Sequence, residues 1–209
     1  WNVDAKWFDP HYLESVGTIP EHIAKAKGTA GDWVGIIFAA YSLFAAIASL
    51  FMAKVASKVG RKLTYSLSLL AGGIGYLSIM LMQNPELTIV NLAITQIEVP
   101  QGAVSLFLPM VGIGVAWAAI LAMPYAILAG SLPVKQTGVY MGIFNFTIAA
   151  PQIVSGIFAG WILTAVFDNQ AIYIIMMAGG SMILAALSVY FVKDGVEEKS
   201  ANCSDEVTA

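Results

Sequence analysis

Residues 53–62 read AKVASKVGRK, which puts Lys54, Lys58, Arg61 and Lys62 in one short turn between two long apolar runs with almost no other charge. A cationic turn between hydrophobic stretches of about twenty residues or more has the pattern of a short cytoplasmic loop joining two membrane-spanning helices, because lysine and arginine in short loops resist translocation. With that loop inside, every other segment acquires a side.

The composition agrees with this reading. Of 209 residues, 58% are hydrophobic and 11% charged, the mean hydropathy is +0.78, and soluble domains carry about 25% charge. The formal net charge of −3 says little as a total, since its distribution among loops is what orients a membrane chain. No basic run with interleaved aromatics points to nucleic acid. Cys203 is the one cysteine, so it has no partner for an internal disulfide and no companion for a metal site. The chain opens WNVDAKWFDP, without a methionine and without the apolar stretch of a signal peptide. Trp1 reads as a cut edge, and a longer protein is expected.

Five spans follow from hydropathy and bilayer thickness, at about twenty helical residues per crossing. Residues 1–31 mix charges with Pro10, Gly17, Pro20 and Gly28, and are expected to be a solvated extracytoplasmic segment with a short helix near residues 20–26. The first span covers residues 32–55, opening at Gly31-Asp32 with the aspartate as helix N-cap. Gly35, Ser42 and Ser49 recur at intervals of seven, which gives one small, mildly polar face for tight packing or a cavity wall. Residues 63–82 form the second span, where Ser68 and Gly72 make a small-xxx-small step suited to close helix approach.

Residues 83–103 hold no lysine or arginine, and their apolar part, LTIVNLAITQI, is too short to cross. They read as an external loop against the membrane surface. The third span, residues 104–130, contains Pro109 and Pro124, which predicts a bent helix, and carries Trp117 and Tyr125. A short loop with Lys135 leads to the fourth span, residues 139–167. There Asn145 and Gln152 stand seven apart on one stripe and should point at protein or water rather than lipid. Asp168-Asn169-Gln170 makes a tight outer turn, residues 171–192 form the fifth span, and residues 193–209 are a polar cytoplasmic tail. In this topology Lys54, Lys58, Arg61, Lys62, Lys135, Lys193 and Lys199 lie inside, whereas Lys6, Lys25 and Lys27 lie outside.

The turn resembles the signature loop of the major facilitator superfamily: a glycine, three residues, an acid, a basic residue, any residue, a glycine, then basic residues. Lys58, Gly60, Arg61 and Lys62 match its second half, and Ala53 and Ser57 stand where the first glycine and the acid would be. With the stretches MPYAILAGSLP and GVYMGIFNFTIAAPQIVSGIFAGWIL, the chain resembles the sucrose-transporter-like branch of that superfamily, proton-coupled disaccharide carriers. The resemblance implies an all-α integral membrane fold in which residues 1–8 end helix seven of a twelve-helix carrier. Residues 32–192 would then be a bundle of helices eight to twelve, a fragment whose N-terminal half is missing. It implies that the first, third and fourth spans face the transport path, that the second and fifth are outer packing helices, and that the basic turn acts as a gate.

A sugar offers hydroxyls and apolar ring faces, so its site needs amide or hydroxyl partners and an aromatic platform. Asn145, Gln152, Trp117, Tyr125, Tyr41 and Ser42 supply those types. Proton coupling needs a titratable group within the membrane. The spans carry none except Asp32 at an end, so a coupling carboxylate is expected in the missing half. No catalytic residue, cofactor or metal is expected, since His11 and His22 lie in the N-terminal segment, away from the spans. A carrier of another small polar solute remains open beside the disaccharide proton symporter, as does a receptor or structural membrane subunit. The expected partners are a sugar, protons and the lipid bilayer of the cell membrane, with the C-terminus cytoplasmic.

Overall fold

Backbone amides inside hydrocarbon have no water to bond, so an apolar run long enough to cross closes its hydrogen bonds along itself as a helix. A computed structural model describes residues 5–8, 10–82, 87–92, 95–132 and 137–192, and five of its helical stretches are long and apolar enough to cross a membrane. A 3-10 turn, Ala5–Phe8, and helix α1, Pro10–Val16, precede them. The spans begin with α2, Glu21–Val59, and α3, Arg61–Ser78, which a 3-10 turn extends to Met82. After a strand pair and the short helix α4, Gln101–Ser105, come α5, Phe107–Ser131, α6, Thr137–Ala165, and α7, Ala171–Ser188.

Helix α3 is the packing centre, touching α2, α5 and α7. The approach is close because glycines face each other's backbones. A Cβ built on Gly72 would lie 2.4 Å from Ala116 Cβ, and one on Gly73 2.9 Å from the Gly179 carbonyl oxygen. One on Gly112 of α5 would lie 2.5 Å from the Ala71 carbonyl oxygen, and one on Gly114 2.7 Å from that of Tyr41 in α2. Lipid tails are as apolar as leucine, so helices in a bilayer gain from such van der Waals contact rather than from the hydrophobic effect. Two apolar clusters fill the remaining gaps. Ala45 and Met52 of α2 meet Ala118, Ala119 and Met123 of α5, and Leu69 of α3 meets Ala186 and Val189 at the end of α7. Helix α6 stands apart, with no buried residue.

Several boundaries differ from the sequence expectation. The break expected at Gly31-Asp32 does not occur: α2 is continuous from Glu21, and Asp32 is an exposed residue within it rather than an N-cap. Its 39 residues span nearly 60 Å at about 1.5 Å each, twice a hydrocarbon core of about 30 Å, so the charged first turns lie beyond the apolar part. Gly35, Ser42 and Ser49 are exposed, so that face of α2 is not a packing seam within this chain. Pro109 sits in the first turn of α5, where its missing N–H costs nothing. Pro124 alone lies inside that helix.

The stretch expected as an external loop contains an antiparallel hairpin, β1 (Leu87–Leu92) paired with β2 (Thr95–Pro100), in register from Leu87 opposite Pro100 to Leu92 opposite Thr95. The outer turn expected at Asp168-Asn169-Gln170 takes positive φ at Asp168 (47°) and Asn169 (61°), residue types that tolerate the left-handed region. The Asn169 N–H closes the end of α6 on the Leu163 carbonyl at 2.9 Å. The expectations for residues 1–4, for Lys135 in its loop and for the tail 193–209 with Cys203 lie outside the described residues.

Candidate functional site

The cationic turn is built on one backbone geometry. Gly60 has φ 93° and ψ 148°, a region essentially closed to residues with a Cβ. It ends α2 with its N–H on the Ala56 carbonyl and starts α3 with its own carbonyl accepting from Thr64. Arg61 and Lys62 therefore fall in the first turn of α3, where cations oppose the helix dipole. The neighbouring helices offset this. Arg61 Nη1 donates to the Ala126 carbonyl near the end of α5 at 3.0 Å, and Lys62 Nζ donates to the Tyr190 carbonyl just past α7 at 3.3 Å. Lys62 thus lies at a helix C-terminus, where positive charge is favoured, and Arg61 reaches a carbonyl just before the last turn of α5. The end of α2, the start of α3 and the ends of α5 and α7 accordingly share one face of the bundle, as alternating spans require. Lys58 and Lys54 lie exposed on the last turns of α2.

The six candidates for substrate contact fall into two pairs and two separate residues. Tyr41 of α2 and Trp117 of α5 meet edge to face, ring centroids 6.4 Å apart, and Phe38 meets Tyr41 in the same way at 5.4 Å. Gly114 permits this by letting the Tyr41 backbone approach α5. Trp117 is 46% exposed, so the cluster keeps a ring surface available. Eight residues along α5, Tyr125 donates its hydroxyl to Asn145 Oδ1 of α6 at 2.5 Å and meets Phe144 edge to face at 5.2 Å. Asn145 thus does form an interhelical hydrogen bond, and its amide NH2 still offers two donors.

Ser42 spends its hydroxyl on the Phe38 carbonyl of its own helix at 2.8 Å. Gln152 is exposed on α6, two turns from Asn145, and makes no hydrogen bond among the described residues. Tyr125 follows Pro124 and Gln152 follows Pro151, the interior prolines of α5 and α6. Each proline frees the carbonyl four residues before it, Ile120 and Thr147, so both candidates sit where their helix can bend.

Sequence reasoning missed Phe38 and Phe144, the rings that brace the two tyrosines. Phe38 was findable as the residue one helical turn before Tyr41. The carbonyls held by Arg61 and Lys62 had no sequence signal, because any residue has a carbonyl. Between α2 and α5, a cavity of about 360 Å³ is lined by Ser49, Ser57, Arg61, Ala122 and Ala126 among others, so Arg61 closes the cationic end of the α2–α5 crevice. Ser49 places it on the small, polar side of α2. Among the described residues no group of three or more His, Cys, Asp or Glu could hold a metal ion.

A family model described as Major Facilitator Superfamily matches residues 15–205. No curated protein and no solved structure matches the chain.

Proposed function

The chain belongs to the major facilitator superfamily of secondary transporters, and on that premise we propose that it is the C-terminal half of a carrier that moves a disaccharide by proton symport. On this reading its five spans are helices eight to twelve of twelve, the cationic turn faces the cytoplasm, and the faces of α2, α5 and α6 left open by packing line the path of alternating access. The observation that carries the substrate class is the pairing of Tyr125 with Asn145, eight residues along α5 from the edge-to-face contact of Trp117 with Tyr41. It offers amide donors for hydroxyls and an aromatic ring for a sugar face.

Pro124 and Pro151 give α5 and α6 a place to bend beside Tyr125 and Gln152, so that on this reading closing the path and re-aiming its polar groups are one motion. Arg61 and Lys62 latch the helix ends that this motion would shift. Among the described residues no Asp, Glu, His, Lys or Arg lies mid-span, and on this reading the coupling carboxylate belongs to the opposing half.

The test is uptake of labelled maltose and sucrose by cells expressing the intact protein. Saturable uptake, competed by the unlabelled sugars and lowered about tenfold in transport efficiency by Asn145→Ala, is expected from the loss of one hydrogen bond made to the bound sugar. Absence of saturable uptake of either sugar would overturn the disaccharide reading and leave a carrier of another small polar solute or a receptor.

A further inference from the structure

Two cavities meet at Val59, on a side of the bundle the transport site does not use. One, about 270 Å³, lies between the start of α3 and the end of α7 and is lined by Val59, Lys62, Leu63, Ser66, Val189 and Tyr190. The other, about 340 Å³, continues in the crevice between α2 and α3 along Phe51, Val55, Val59 and Leu67. They differ in chemistry. In the first, Ser66 is bonded to the Ala186 carbonyl at 2.9 Å, and Lys62 uses one ammonium hydrogen on the Tyr190 carbonyl, so two of its three donors remain. In the second, Thr64 and Ser68 turn their hydroxyls onto carbonyls of their own chain at 2.7 and 2.8 Å, which leaves an apolar lining.

The geometry points to an anionic phospholipid seated here, its phosphate at Lys62 and one acyl chain along the α2–α3 crevice. Charge supports the head. Lys54, Lys58 and Lys62 meet no carboxylate among the described residues, and Glu21 and Asp32 stand at the opposite end of α2. Depth supports the tail. From Val59 to Phe51 is eight residues, about 12 Å along the helix, which fits a chain entering one leaflet of a core about 30 Å thick. Phe51, Val55, Val59, Leu63 and Leu67 are all exposed on this strip, and exposed Tyr190 and Phe191 stand at its mouth, where aromatic rings favour the membrane interface. A soluble anion would satisfy the lysines and leave the strip bare. The proposal rests on the spanning helices and holds whatever the transported solute.

The probes are spin-labelled phosphatidylglycerol and phosphatidylcholine, with the intact protein reconstituted in phosphatidylcholine bilayers. The motionally restricted fraction should favour phosphatidylglycerol about fivefold, the effect expected of one lysine near an anionic headgroup. Lys62→Gln should remove most of that preference, Lys62→Arg should keep it, and Lys54→Gln, outside the groove, should change it little. Leu67→Trp, which fills the crevice and leaves the charge alone, should lower restricted phosphatidylglycerol as well. Equal binding of the two lipids, or equal losses in Lys54→Gln and Lys62→Gln, would overturn the site. So would displacement by inorganic phosphate in excess, which would show a free-anion site. A severalfold gain on deleting residues 194–209, with Asp194, Glu197 and Glu198, would overturn it in favour of that acidic segment as the occupant.

Discussion

A Cβ placed on Gly73 would fall 2.7 Å from an Ile183 carbon, whereas one placed on Gly142, Gly156 or Gly160 of α6 would meet nothing within 4 Å. The same residue type thus does opposite things in two regions of one bundle. Around α3, glycines let backbones touch, and the helices that meet there bury their seam. Along α6 they leave a smooth, open surface beside Asn145 and Gln152. In a bilayer, where contact rather than water exclusion holds helices together, the difference separates a packed scaffold from a surface that packing within this chain leaves open.

The largest expected effect tests that separation directly. In this chain in detergent, Gly112→Leu drives a side chain into the Ala71 carbonyl and should lower unfolding stability by about 3 kcal/mol or more, whereas Gly156→Leu should change it by under about 0.5 kcal/mol. Similar losses in a pair of thermal melts would erase the distinction.

Next comes the latch. Arg61→Gln removes a charged hydrogen bond to the Ala126 carbonyl and should cost about 1.5 kcal/mol. Lys58→Gln, with an exposed side chain and no partner among the described residues, should fall within about 0.5 kcal/mol of the parent. Chemical denaturation of the two variants side by side checks this.

The smallest effect lies on the open side. Tyr125→Phe breaks the bond to Asn145 and should cost about 0.6 kcal/mol in stability, the mean for such interhelical bonds. Its effect on sugar uptake should be several times larger in free-energy terms. A stability loss that accounts for the whole uptake defect would make the pair a structural clasp.

The spans were legible because bilayer thickness is a strict ruler, and the runs ending at Val59, Met82 and Phe191 met it within a few residues. The start of α2 was not. Gly28, Gly31 and Asp32 look like a boundary, yet a helix already paired along its backbone carries two glycines at about 1 kcal/mol each. The hairpin left a signal that went unused: Thr88, Ile89 and Val90 face Val99, Glu98 and Ile97 in register, and β-branched residues of that kind favour strands over irregular loops.

For the site, the residue types could be read and their partners could not. Asn145 and Tyr125 were both visible as polar groups in apolar helices, but the place where α6 touches α5, at Phe144 and Asn145, decides that they meet and that Gln152 does not join them. Where two helices touch depends on how the whole bundle sets them, which no short motif records.

Thiol accessibility along the bundle is the most direct test of the claim that the open side of α2, α5 and α6 is the aqueous path. In a Cys203→Ser background, Ser42→Cys and Gln152→Cys should react with a membrane-impermeant thiol reagent in the intact protein. Ile74→Cys on α3 and Leu184→Cys on α7, exposed in the chain at 61% and 69% and facing lipid in this account, should not. Rapid labelling at 74 and 184 with none at 42 and 152 would contradict it.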